Sequence, residues 1–165
     1  MNDAHLHLLV NHFPIIGTIF GFLVLLGGLY FKSTSIKNTA YLLFIIATTF
    51  TVFSMVTGEG AEKMVEDLPE IGHKIIHNHE ETAEKFAILM YLLGCASVIG
   101  LISNITHHSK ALFFAYSILV IAIVAVIVSV KVGTTGGEIR HTEIRNDMIS
   151  TKINTEASST IFDKD

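Results

Sequence analysis

Nine histidines carry most of the chemical potential of this sequence. Imidazole is a common neutral ligand for metals and haem iron and the usual proton carrier near neutral pH. His12 stands at the start of an apolar stretch in Asn11-His12-Phe13-Pro14, and His79 leads into another in His79-Glu80-Glu81-Thr82-Ala83-Glu84. Numbered as one helix, His79 shares a stripe with Ala83, Phe86, Met90 and Ser97, where small residues leave room for a bulky group. Glu80 and Glu81 are candidate outer partners, because a ligating imidazole usually gives its other N–H to a carboxylate or carbonyl. His5, His7, His73 and His77, taken singly, read as interfacial polar residues, although His73 and His77 are spaced to share a helix face as a weak divalent-metal pair. His141 follows Gly136-Gly137-Glu138-Ile139-Arg140, so that Arg140 is a candidate partner for a haem propionate beside it.

The elements that must position these residues are membrane spans. Residues 8–31, 40–57, 86–105 and 111–132 form four apolar segments whose only internal charge is Lys131 at the last edge. Each has about the 20 residues of helix needed to cross hydrocarbon roughly 30 Å thick. Helix is the expected form, because a spanning segment must satisfy its backbone groups internally. The short loops Lys32–Thr39 and Thr106–Lys110 join only antiparallel neighbours. The expected fold is therefore all-α, an integral membrane up-down four-helix bundle within residues 1–145, with a polar loop between the second and third spans. Residues 146–165, polar and rich in Ser and Thr, are expected to form a disordered tail.

That topology sorts the histidines. The amino terminus, the long connection Gly58–Lys85 and the chain from Gly133 share one face with His5, His7, His12, His73, His77, His79 and His141; only His107 and His108 lie on the other. Spans one and three run the same way, so His12 and His79 lie at one depth. Gly133-Thr134-Thr135-Gly136-Gly137 is expected to stop the fourth helix and turn His141 beneath the bundle mouth. The first span has no basic residue before it and Lys32 and Lys37 soon after it, which points the short loops to the cytoplasm and the termini outward. Gly17, Gly21 and Gly28 suggest close helix contact, and Thr51, Ser54 and Thr57 form a polar stripe of hydroxyls that commonly bond their own backbone.

Half of the 165 residues are hydrophobic and only 16% are charged, with a net charge of −4 and a mean hydropathy of +0.56. This excludes a soluble domain, which carries roughly a quarter charged residues, and argues against a nucleic-acid partner. The single cysteine, Cys95, leaves no disulfide framework, no CxxCH haem attachment and no cysteine-based metal cluster. Nothing before Lys32 reads as a cleaved leader, so the first span is expected to remain.

The stretches His5-Leu6-His7-Leu8-Leu9-Val10-Asn11-His12-Phe13-Pro14, Thr57-Gly58-Glu59-Gly60-Ala61-Glu62 through Asp67-Leu68-Pro69, His79-Glu80-Glu81 and Gly136-Gly137-Glu138-Ile139-Arg140-His141 resemble a group of small bacterial four-helix membrane proteins of unknown function. The resemblance covers roughly the first 145 residues. That group is similar to b-type di-haem cytochrome bundles, and its members occur beside or fused to Rieske or cytochrome c modules. The resemblance singles out His12, His79 and His141. It supplies no activity by itself; the first reading it leaves is a bacterial inner-membrane electron-transfer subunit passing electrons between a quinone and an exported redox protein of cytochrome c or Rieske type. Di-haem bundles need histidines at both depths, and none lies deep in any span here, so one haem b, held by His12 and His79, is the expectation. Diagonal helices standing roughly 12–14 Å apart, if neighbours pack at 8–10 Å, would admit it. The alternatives are a copper or zinc site formed by His12, His79 and His141, and a non-catalytic assembly or anchor subunit.

Overall fold

In the computed structural model, which describes residues 2–65, 73–141, 144 and 145, the four apolar segments become four long helical rods. A short helix α1 (Asp3–Val10) runs almost directly into α2 (His12–Tyr30); α3 (Thr34–Val65), α4 (His73–Ile105) and α5 (Ala111–Arg140) follow. Asn11, between α1 and α2, keeps helical angles of φ −66° and ψ −22°. The interruption follows from Pro14, which has no N–H for the Val10 carbonyl and whose ring crowds it.

The rods alternate in direction. α2 packs on α3, α3 on α4, α4 on α5 and α5 back on α2, while α1 lies against α3. Buried positions recur at alternating steps of three and four: Pro14, Thr18, Gly21, Leu25 and Gly28 on α2, and Phe86, Met90, Leu93, Ser97, Gly100 and Asn104 on α4. Ala115, Ile118, Ala122, Ala125, Ser129 and Val132 continue the pattern on α5. A seven-residue repeat of inward positions is the seam of a left-handed bundle, and its small residues let the backbones approach. A methyl group at Gly17 would stand 2.8 Å from Ala47 Cβ, and one at Gly21 would stand 2.6 Å from the Phe44 ring.

The outward side chains are apolar too, Phe20, Ile46, Ile99, Val120 and Ile127 among them. Continuous apolar exposure on this scale is the surface of a bundle dissolved in lipid rather than water. Four rods are long and apolar enough to cross a membrane, as a multi-pass membrane protein requires. The short turns between α2 and α3 and between α4 and α5 close in the same way. Lys32 and His107 take left-handed angles (φ 52° and 53°). The Ser33 and His108 N–H groups then reach back to Gly28 O and Ser103 O, both at about 3 Å, as in a Schellman cap.

Two elements differ from the expectations drawn from sequence. The connection Gly58–Lys85 is not a loop throughout: α3 continues to Val65 and α4 begins at His73. With 32 residues, α3 is about 48 Å long at 1.5 Å per residue, well beyond the roughly 30 Å of hydrocarbon. Its surplus and that of α4 project from the face opposite the short turns, where α1 packs against α3. The second difference lies at Gly133–Gly137, which does not stop the helix; α5 runs through it to Arg140. Gly133 faces Ile15 and Gly136 faces His79, so these glycines serve close packing. Thr134 and Thr135 give their hydroxyl protons to Val130 O and Val132 O within the helix. The expected tail, residues 146–165, and Asp67-Leu68-Pro69 lie outside the described residues.

Candidate imidazole site at the bundle mouth

The interior seam of α4, followed upward from Phe86 through Ala83, arrives at His79, with buried Ile76 one step further. The seam of α2, followed upward from Pro14 through buried Val10, arrives at His7 on α1. His7 immediately precedes the apolar segment that begins at Leu8, and His79 lies seven residues, about 10 Å, before Phe86; both imidazoles stand on the face carrying the termini. They are close enough for a charge on one to act on the other.

Both rings are held through Nδ1. His7 Nδ1 lies 3.1 Å from Ser54 O and 3.2 Å from Thr57 Oγ1. A carbonyl oxygen only accepts, so His7 carries its proton on Nδ1 and leaves the Nε2 lone pair free. Thr57 passes its own proton to Phe53 O at 2.9 Å, so its oxygen is also an acceptor here. His79 Nδ1 lies 3.0 Å from Thr135 Oγ1, and that hydroxyl bonds Val132 O at 3.2 Å. With the hydroxyl proton on Val132 O the imidazole is the donor here too, which leaves Nε2 as the free nitrogen. Each ring rests on a glycine of the neighbouring rod. A methyl group would approach His7 Cε1 to 3.6 Å from Gly58, and His79 Cε1 to 3.0 Å from Gly136. A half-buried imidazole held through Nδ1–H, as His7 is and as His79 is when Thr135 bonds Val132 O, has the tautomer used by histidine ligands whose second nitrogen is oriented by a protein acceptor.

The other candidates are placed as follows. His12 starts α2 and is exposed; two residues from buried Pro14, it stands about 200° around the helix from the seam. It is near enough to His7 to act on it electrostatically. His141 caps α5 and is exposed, its backbone N–H bonded to Gly137 O. Arg140 ends α5, and its side chain lies outside the described residues. Glu80 and Glu81 are exposed and turned to other partners: Glu80 lies 3.7 Å from His77 Nδ1, and Glu81 pairs with Lys85 at 2.7 Å. The outer partner of His79 is Thr135 instead. His5 bonds Asn2. Among the described residues, no three His, Cys, Asp or Glu side chains gather closely enough to hold a metal ion.

Below the mouth the bundle is closed. Thr18 Oγ1 lies 2.6 Å from Pro14 O and 3.1 Å from Met90 Sδ, so α2 and α4 touch across the diagonal at that level. Thr48 adds a bond to Met90 O at 2.8 Å. Space for a large planar group between spans one and three therefore has to lie above Thr18 and Met90, around His7 and His79. Spacing along the first span pointed to His12; the seam points to His7. The sequence matches no protein family, no curated protein and no solved structure.

Proposed function

We propose that the protein is a membrane electron-transfer subunit that binds one haem b at the face carrying its termini, with His79 and His7 as the axial imidazoles. The observation that supports this reading is the donor set. Two imidazoles on different rods stand on the same face, each held at Nδ1 by a neighbouring rod. A porphyrin already supplies four nitrogens, so two such side chains complete the iron, whereas zinc in a structural or catalytic site takes three or four protein ligands. The donor set suits the group, which when bound would supply one-electron chemistry. The chain's own contribution is orientation: Ser54, Thr57 and Thr135 fix the two rings, and Gly58 and Gly136 leave room beside them. Lys32 and Lys37, following a first span with no basic residue ahead of it, favour an inner-membrane orientation with this mouth outward. The resemblance to cytochrome-like bundles favours electron exchange between a lipid-soluble quinol and an exported protein of cytochrome c or Rieske type.

The test is the reduced-minus-oxidised spectrum of protein purified from haem-replete cells. A low-spin b-type spectrum is expected for wild type, for His12→Ala and for His107→Ala with His108→Ala. His7→Ala and His79→Ala should each lose it. Full haem content in the His79→Ala variant, or a folded wild-type protein that takes up no haem, would overturn the assignment. Retention in His7→Ala with loss in His12→Ala would return the second ligand to His12.

A further inference from the structure

Buried hydroxyls are treated differently in the two halves of the bundle. Near and above the Thr18 level each has given its proton to a backbone carbonyl: Thr18 to Pro14 O, Thr48 to Met90 O, Thr51 to Ala47 O, Ser129 to Val126 O and Thr57 to Phe53 O. Toward the short turns this stops. Ser97 Oγ and Ser103 Oγ are buried without a hydrogen-bond partner, and the Tyr41 hydroxyl is buried with only the Asn104 side chain beside it, outside good hydrogen-bond geometry. Tyr41 and Ser97 are fully buried, and Ser103 is 5% exposed.

These three groups belong together in register. A methyl group at Gly100 of α4 would stand 3.1 Å from Tyr41 Cε2 and Cζ, so the ring of this α3 residue lies across Gly100. Ser97 and Ser103 are one turn to either side of that glycine. The polar neighbour of the Tyr41 hydroxyl is Asn104, whose Nδ2 donates to Asn38 Oδ1 at 2.7 Å. Ser97 lies near the middle of the apolar stretch of α4, and Asn104 lies at its short-turn end. A serine can turn onto a carbonyl of its own helix, but a tyrosine hydroxyl on a ring wedged against Gly100 and Ile118 has no such alternative. Orphaned polar groups inside a protein ordinarily mark bound water, which joins two to four of them.

We propose that the short-turn half of the bundle is a binding site for ordered water, held by Tyr41, Ser97, Ser103 and Asn104 and extending from the short-turn face to the middle of the hydrocarbon layer. The proposal does not depend on any group at the opposite mouth. Millisecond X-ray hydroxyl-radical footprinting tests it, because water bound beside a side chain generates the radical in place. The chain has four tyrosines, which supply the internal controls. In protein held in lipid nanodiscs, exposed Tyr30 should be modified fastest. Tyr41, although fully buried, should be modified faster than lipid-facing Tyr91 if water sits against it. Ser97→Ala with Ser103→Ala should slow modification of Tyr41 toward the Tyr91 rate. Modification of Tyr41 no faster than that of Tyr91 would show a dry site closed by a direct Tyr41–Asn104 bond, and would overturn the proposal. An unchanged Tyr41 rate in the double variant would remove the serines from the site and overturn it in this form.

Discussion

Thr135→Val perturbs the orientation of His79 while leaving the imidazole in place. Thr135 Oγ1 lies 3.0 Å from His79 Nδ1 and 3.2 Å from Val132 O; on the proposed reading its proton goes to Val132 O and its oxygen accepts from the ring. Valine keeps the branched shape and removes that acceptor alone. A half-buried N–H left without a partner costs about 1–3 kcal/mol. The ring can avoid that penalty by moving its proton to Nε2, which takes away the lone pair a ligand needs. By either route binding through Nε2 weakens, and loss of such an outer partner typically lowers affinity by about 10–100-fold, equivalent to about 1.4–2.7 kcal/mol. The assay is haemin titration of the purified protein in nanodiscs, followed in the Soret region, with helical content checked by circular dichroism. Thr135→Ser, which keeps the oxygen, should bind close to wild type. If Thr135→Val binds haemin as tightly as wild type, the inference that this hydroxyl sets the His79 tautomer, and that His79 ligates through Nε2, is wrong.

Gly21→Ala would place a methyl 2.6 Å from Phe44 Cε1, and Phe44 is fully buried, so the variant should lose about 1–3 kcal/mol of stability. Gly27→Ala, with nothing within 4 Å, should be neutral or gain up to about 1 kcal/mol from helix propensity; denaturation in mixed micelles compares the two. In a Cys95→Ala background, Ser35→Cys and Ser109→Cys should be shielded from an impermeant thiol reagent in intact cells, while Asn78→Cys should react. The reverse pattern would place the imidazole pair in the cytoplasm.

The four spans were legible because a lipid-dissolved helix writes its length directly in hydropathy. Helix ends were less so: hydropathy marks the apolar layer, and α3 and α4 continue past it on polar sequence that no apolar count detects. The misreading of Gly133–Gly137 has a related cause. In a soluble helix two adjacent glycines end the structure, but in a packed membrane rod glycine is a contact surface, and Gly136 is where His79 rests. His79 could be found from its stripe with Ala83, Phe86 and Met90. His7, taken singly, reads as an interfacial polar residue, and only the packing of α1 sets it on the seam. The same three-and-four stepping, carried back from Gly21 through Thr18, Pro14 and Val10, reaches His7 and leaves His12 off the seam. Ser54 and Thr57 read as ordinary back-bonding hydroxyls, and Thr57 is one, but the approach of His7 to the Ser54 carbonyl and the Thr57 hydroxyl depends on where α1 packs, which no local pattern encodes.

The asymmetry between the two ends limits what a redox group at the mouth could do. Thr18, Met90 and Thr48 close the interior beneath it. At the other end His107 is committed to a left-handed turn position, and His108 Nδ1 accepts from the Lys110 N–H. No second oriented imidazole pair faces the first across the hydrocarbon layer among the described residues. A single site on one side of about 30 Å of hydrocarbon has no partner through which to send an electron to the opposite face. On the proposed reading the protein therefore serves carriers that meet at one surface, a quinol diffusing in the adjoining leaflet and a protein docking on the projecting ends of α3 and α4. The bundle then acts to hold His7 and His79 at that surface, within reach of a soluble partner docked on the projecting ends of α3 and α4.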